Sequence, residues 1–182
     1  MATSATSVRQ DTLQLAIFQT PLGWFGMLGQ DQKLRQIHIG RASRQDLEDE
    51  FREEYSDARI ELKQWNPELQ NRLVRFARGE EVSFEDVDLQ WPRPLTKFRK
   101  KVLQQTRKLR WGQTVTYGEL ARRAGSPRAA RAVGSTMASN LFPIIIPCHR
   151  VVGSNGALGG FTAPTGISLK SQLLTMEADS HA

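Results

Sequence analysis

The chain has 182 residues, 39% of them hydrophobic and 24% charged, with a formal net charge of +6. It is apolar enough to bury a core and too apolar for wholesale disorder, and no stretch reaches the roughly 18–20 consecutive apolar residues needed to cross a bilayer. Its one cysteine, Cys148, excludes an internal disulfide, and with three histidines in all, of which only His149 adjoins the thiol, a Cys/His zinc cage is not expected.

Residues 1–11 are rich in Ser, Thr and Ala and lack the basic-then-apolar order of a signal peptide, so they read as a flexible tail of a cytoplasmic protein. Leu13–Phe18 and Gly26–Leu28 read as strands about the turn Thr20-Pro21-Leu22-Gly23. After a second turn at Gly29-Gln30-Asp31-Gln32, Leu34–Ile39 alternates in polarity, and an antiparallel meander follows. Arg44–Tyr55 carries Leu47 and Phe51 four residues apart, the spacing of a surface helix. Asn66 caps a second helix with Pro67 at its first position, Leu69, Leu73 and Phe76 along one side, and Gly79 at its end. Glu81–Leu89, with Val82, Phe84 and Val87 set among acids, reads as an edge strand. Trp91-Pro92-Arg93-Pro94 can continue neither a helix nor a central strand.

The charge changes sign at that same point. Residues 1–92 hold 11 Lys/Arg against 16 Asp/Glu, whereas residues 93–182 hold 14 against 3. An acidic scaffold domain over 12–92 and a basic, polyanion-binding domain over 93–178, with a short tail at 179–182, is the organisation this implies. The basic domain opens with a helix from Thr96 to about Leu109, with Phe98, Val102 and Leu109 inward and Lys97, Lys100, Lys101 and Lys108 outward. Gly112–Val115 is a short link, and Thr116-Tyr117-Gly118-Glu119 forms a capping box for a helix that stops at Gly125. Ser126 and Pro127 are expected to start a second helix running to about Ser139, which completes a helix-turn-helix. In that helix Ala129, Val133 and Met137 share the inner side, while Arg131, Gly134, Ser135 and Ala138 share the outer one. One arginine among very small residues suits close approach to a partner; tight packing inside the protein accounts for Gly134 and Ala138 equally well.

The apolar run from Phe142 to Val152 holds Pro147-Cys148-His149-Arg150. His149 and Arg150 bring positive potential and a base beside the thiol, and such neighbours lower a cysteine pKa. A buried, inert cysteine is the competing interpretation.

Pro147-Cys148-His149-Arg150-Val151-Val152, preceded by Arg131-Ala132-Val133-Gly134 and Asn140, resembles the O6-alkylguanine-DNA alkyltransferases, also called methylated-DNA–protein-cysteine methyltransferases. The resemblance extends back through Gly118-Glu119-Leu120-Ala121 and Tyr117 to Phe98. It extends forward through Gly153-Ser154-Asn155-Gly156 to Leu173-Leu174 and Glu177. It implies an α/β plus α fold, with a ribonuclease-H-like α/β first domain and a helical winged-helix, helix-turn-helix second domain that carries the reactive cysteine.

The implied function is single-turnover DNA repair. A monomer binds double-stranded DNA containing O6-alkylguanine, flips the base out, and keeps the alkyl group on Cys148. Arg131 would fill the gap in the stack, and Tyr117 would crowd the flanking phosphate. Gly134, Ser135, Ala138 and Arg128 would face the DNA in minor-groove docking. His149 would take the thiol proton through a water, with Glu177 orienting it, and Asn140 would act as a hinge. Met137, Val151, Phe161, Thr162, Pro143 and Lys170 would line the substrate pocket. No metal or organic cofactor is implied, because the substrate carries its own leaving group. The implied location is cytoplasmic, at the nucleoid in a bacterium and nuclear in a eukaryote.

Three departures from the family pattern stand in the sequence. Leu141 follows Asn140 where a proline is frequent, Phe161 stands where many relatives have tyrosine, and the stretch 162–169 is about two residues longer. Three other classes compete with this reading. Non-enzymatic alkyltransferase-like proteins replace the cysteine that is present here, a Cys-His hydrolase would need an oxyanion loop that is not evident, and a plain DNA-binding regulator would have no use for the Cys-His-Arg segment.

Overall fold

The computed structural model describes residues 12–159 and 166–179. β1 (Leu13–Thr20), β2 (Gly23–Gln30) and β3 (Lys33–Arg41) form the expected antiparallel meander, with longer strands because each turn needs only two residues. A strand that the alternation did not reveal, β4 (Ile60–Leu62), pairs parallel to β1 and closes the sheet in the order β3-β2-β1-β4. Three residues are too few to display a period of two.

The period-2 alternation of β1 sends its side chains to two separate cores. Leu13 and Leu15 pack with Leu28 against Leu47 and Phe51 of α1 (Arg44–Glu54). Ala16 and Phe18 point into the larger cluster on the other face, where α2 (Pro67–Ala77) contributes Leu69, Leu73 and Phe76. Gly26 lets α1 come this close, since a Cβ there would lie 2.7 Å from the Phe51 ring. Asn66 accepts from the Leu69 N–H as the N-cap of α2, with Pro67 at the first position, as the sequence predicts.

Glu81–Leu89 is not a strand. Its one ladder contact is an isolated bridge between Leu34 and Leu89. A side chain takes over the hydrogen bonding that a ladder would have supplied: Arg107 Nη2 donates to the carbonyls of Phe84, Glu85 and Val87 at 2.8, 3.1 and 2.6 Å. Phe84 and Val87 are buried all the same, which is why the sequence alternates.

The second half holds α3 (Lys97–Arg107), β5 (Val115–Thr116), α4 (Tyr117–Arg123), α5 (Ala130–Ala138), β6 (Val151–Val152) and α6 (Ile167–Asp179). β5 and β6 pair in parallel. Thr96 caps α3 and Thr116 caps α4, each through its side-chain oxygen. The reciprocal half of the capping box does not form, because the Glu119 carboxylate turns to Arg122 and Arg123. Gly125 ends the α4 segment with φ +79°. The following helix begins later than expected. The Ser126 N–H bonds to Ala121 O, and Ser126 O accepts from Ala129 N, so residues 126–129 form a turn and α5 starts at Ala130 without a side-chain cap.

The larger core runs through both halves of the chain, from Leu34 and Phe76 to Trp111, Ile144 and Leu173. Arg107→Ala should therefore loosen residues 81–89 and destabilise the protein by about 1.5–3 kcal/mol, the scale of hydrogen bonds to a charged group. Urea unfolding should show a lower midpoint at unchanged slope; an unchanged midpoint would mean that the three carbonyls are equally well satisfied without the guanidinium.

Candidate functional site

Cys148, His149 and Arg150 form a single 3-10 turn that leads into β6, and residues 142–150 are all buried. Asn140, the residue between α5 and this segment, holds the turn in place. Its Nδ2 donates to Ile146 O at 2.9 Å and to Cys148 Sγ at 3.2 Å, while its Oδ1 accepts from Phe142 N at 3.0 Å. The side chain thus fixes the backbone on both sides of the chain reversal and also touches the sulfur. Leu141, in the place of the frequent proline, gives its carbonyl to the Ile37 N–H of β3 at 2.9 Å, so this stretch of chain is tied to the sheet.

α6 supplies the other wall. Leu169, Lys170, Leu173 and Glu177 are its buried residues. Lys170 and Glu177 lie seven residues apart, so they share a face about 10 Å apart along the axis. That separation sets one charge at each end of the 3-10 turn. Lys170 Nζ donates to Val151 O at 2.7 Å and sits 5.8 Å from the centre of the Tyr117 ring. The Glu177 carboxylate accepts from His149 Nε2 at 2.8 Å, from Arg150 Nε and Nη2 at 2.9 and 2.8 Å, and from the Gly112 N–H at 3.1 Å. Arg150 is anchored in turn through Nη1 to Leu109 O at 2.6 Å and lies over the Trp111 ring.

The pKa shifts follow from this geometry. Burial alone would raise the Glu177 pKa, but the hydrogen bonds and charges of His149 and Arg150 outweigh it and lower the value to about 2. Burial pushes the His149 imidazole below its ordinary value against the pull of Glu177, so the ring is neutral at pH 7. An ionised Glu177 is a pure acceptor, which places the ring proton on Nε2 and leaves Nδ1 as a bare lone pair. Nδ1 has no hydrogen-bond partner among the described residues.

The thiol corrects an expectation. Burial raises the Cys148 pKa rather than lowering it, and the opposing contributions come from Asn140 and Lys170. Arg150 is spent on Glu177 and Leu109 O instead of on the sulfur. The resting group is a thiol.

The other predicted residues fall into three sets. Arg128, Arg131, Ser135 and Ala138 are exposed on the α4–α5 unit and Gly134 is half-buried there, whereas Val133 and Met137 face inward. Tyr117 opens α4, half-buried between Lys170 and the backbone at Gly159, where a Cβ would lie 2.3 Å from its hydroxyl. Among the pocket residues, Met137 is buried and accepts a weak bond from Thr106 at 3.8 Å, and Val151 is buried above Lys170. Pro143 lines a cavity of about 240 Å³ shared with Gln36, His38 and Asn140 rather than one that contains Cys148. Phe161 and Thr162 lie outside the described residues. Sequence reasoning missed the clamp made by Arg150, Leu109 and Gly112. Its only trace in the sequence is that a fixed cation directly follows the Cys-His pair.

Residues 97–179 match the family model for the 6-O-methylguanine DNA methyltransferase DNA-binding domain. A methylated-DNA–protein-cysteine methyltransferase of Methanosarcina acetivorans is 33% identical over 162 residues, covering 89% of this chain and 96% of that protein. One from Cricetulus griseus is 33% identical over 178 residues, covering 91% and 82%. The crystal structure of Mycobacterium tuberculosis OGT in complex with DNA matches with a TM-score of 0.73 at 28% identity, over 91% of this chain and 93% of that one. These solved structures share the mixed helix-and-sheet fold.

Lowering the Glu177 pKa from 4.5 to about 2 contributes on the order of 3 kcal/mol of stability at neutral pH. A depressed carboxylate pKa stabilises above the unfolded value, and that stability is lost as pH falls from about 4.5 through about 2. Glu177→Gln should flatten this acid limb and, by leaving Arg150 buried without its counter-charge, cost about 3–5 kcal/mol at pH 7. Denaturant unfolding as a function of pH would reveal both effects; an acid limb as steep as in the parent would show that other carboxylates dominate.

Proposed function

The chain belongs to the methylated-DNA–protein-cysteine methyltransferase family, and from that premise we propose that Cys148 is the atom that receives the alkyl group and that the substrate is O6-alkylguanine in double-stranded DNA. One observation carries the assignment. A buried thiol held by Asn140 is followed directly by a neutral histidine whose far nitrogen is fixed by an ionised glutamate.

Each residue then has a task. His149 Nδ1 takes the thiol proton through a water, and Glu177 stabilises the imidazolium that results. Lys170, with Asn140, favours the thiolate. The thiolate attacks the alkyl carbon, and the S–C bond forms as the C–O6 bond breaks. The electron pair remains on O6 of the purine, which takes up a proton and is restored to guanine within the DNA strand. Because the thioether does not revert, each molecule reacts once.

A base inside a duplex is out of reach of a buried sulfur, so the nucleotide must be extruded, at a cost of a few kcal/mol. The α4–α5 unit is suited to this. Gly134, Ser135 and Ala138 permit close approach to a minor groove, Arg128 adds charge, Arg131 projects from the same exposed face, and Tyr117 stands at the start of α4. Met137, Val151 and Lys170 are the described residues that this reading takes as the substrate pocket, while Phe161 and Thr162 lie outside the described residues. The same reading takes residues 12–92 as a ribonuclease-H-like scaffold domain, 93–178 as the winged-helix DNA-binding domain, and the protein as a monomer acting where DNA is. No helix among the described residues is long and apolar enough to cross a membrane.

An oligonucleotide duplex with labelled O6-methylguanine should deliver at most one equivalent of label to the protein and none to Cys148→Ala. Release of free methanol over many turnovers would overturn the reading in favour of a hydrolase, and tight binding without transfer in favour of a damage-recognition protein. Arg131→Ala should slow transfer from duplex DNA by roughly 10- to 100-fold, the scale of a lost share of the unstacking energy. Transfer from the free base should barely change; equal losses on both substrates would remove the extrusion role.

A further inference from the structure

α3 carries no acidic residue, and it presents Lys97, Lys100, Lys101, Gln104 and, at its C-cap, Lys108 to solvent. Their spacing of 3, 1, 3 and 4 puts all five on one stripe of the helix. Among the described residues none of these four lysines has an ion pair or a side-chain hydrogen bond. The stripe also adjoins the helix-turn-helix. Lys101 Nζ stands 4.0 Å from where a Cβ on Gly125 would lie, at the turn between α4 and α5, and Arg99 reaches from α3 to the Ser139 hydroxyl at the end of α5, at 2.6 Å.

The charge inventory of the helix-turn-helix makes this stripe matter. Arg122 and Arg123 are both engaged by Glu119, which leaves Arg128 and Arg131 as its exposed cations without a carboxylate partner among the described residues. Proteins that grip duplex DNA with useful affinity neutralise several phosphates, often six to ten or so. Two arginines fall short of that.

Resting on the DNA-repair reading above, we propose that the α3 lysine stripe is a second DNA contact, which binds the phosphate backbone flanking the segment held by α4 and α5. The stripe carries charge and no sequence-reading geometry, so it supplies affinity and register and not lesion recognition. A membrane surface is the poorer occupant. The one strongly exposed large apolar side chain among the described residues is Ile167, on α6 and not on this face.

The test is the salt dependence of binding to a duplex containing O6-methylguanine, measured for the parent chain and for the triple variant Lys97→Gln, Lys100→Gln, Lys101→Gln. Glutamine keeps helix propensity close to that of lysine, so the fold is retained. If each lysine meets a phosphate, the slope of log K against log salt becomes shallower by about 2–3, and affinity at about 0.1 M salt falls on the order of 10²-fold. Alkyl transfer from the free O6-methylguanine base stays within about twofold, since no reacting group is altered. An unchanged slope and affinity in the triple variant, with the parent binding and reacting normally, would overturn the α3 contact alone. A parent chain that neither binds duplex nor takes up alkyl would overturn the repair reading and this inference together.

Discussion

The carboxylate of Glu177 is the element around which the reactive end of the molecule is assembled. Fully buried, it would be costly as a lone charge, and the surrounding structure is arranged to satisfy it. His149, Arg150 and the Gly112 N–H converge on its two oxygens, drawing together α6, the 3-10 turn and the link between α3 and β5. Arg150 matters because its charge is permanent. It keeps Glu177 ionised whether or not His149 carries a second proton. By sharing the carboxylate it also weakens the pull on the imidazole, which burial then keeps neutral. The base role proposed for His149 needs a ring that is neutral before it acts and stabilised afterwards, and one carboxylate shared between a permanent cation and a neutral imidazole suits both conditions.

The thiol follows the complementary logic. Buried and raised in pKa, Cys148 is protected from adventitious chemistry in the resting protein, and the groups that favour its anion, Asn140 and Lys170, wait beside it. Lys170 is itself pulled down by burial and up by the prospect of a thiolate, so the two groups stabilise each other's charged forms. For a protein that reacts once, a sulfur that is quiet until a substrate arrives is worth more than one that is permanently ionised.

The two halves differ in charge but not in core. Phe76 of α2 meets both Trp111 and His149 edge-on, Trp91 packs edge-on against Phe142, and β3 holds the segment after α5 by donating from Ile37 N–H to Leu141 O. The acidic half is therefore part of the mounting of the reactive segment. Several of its carboxylates are turned to local cations, as in Glu48 with Arg52, Arg72 with Asp86 and Arg75 with Glu80. The four exposed lysines of α3 and Arg128 and Arg131 of the α4–α5 unit have no carboxylate partner among the described residues.

Features written in consecutive residues were readable without coordinates. The meander, the caps at Asn66 and Thr116, the inner and outer faces of α5 and the Pro-Cys-His-Arg run are all local, governed by propensity, turn chemistry and periodicity. Where a distant group competes for the backbone, local reading failed. Arg107 captured the carbonyls that should have made Glu81–Leu89 a strand, a turn on Ser126 displaced the start of α5, and β1 recruited the three-residue β4. The state of the site belonged to the same class. Sequence alone put a base and a cation next to a thiol, but whether Arg150 would face the sulfur or Glu177, and whether burial or charge would rule the thiol, depended on how α6 docks. Desolvation and Coulomb energy are set by distances in space, and adjacency along the chain does not specify them.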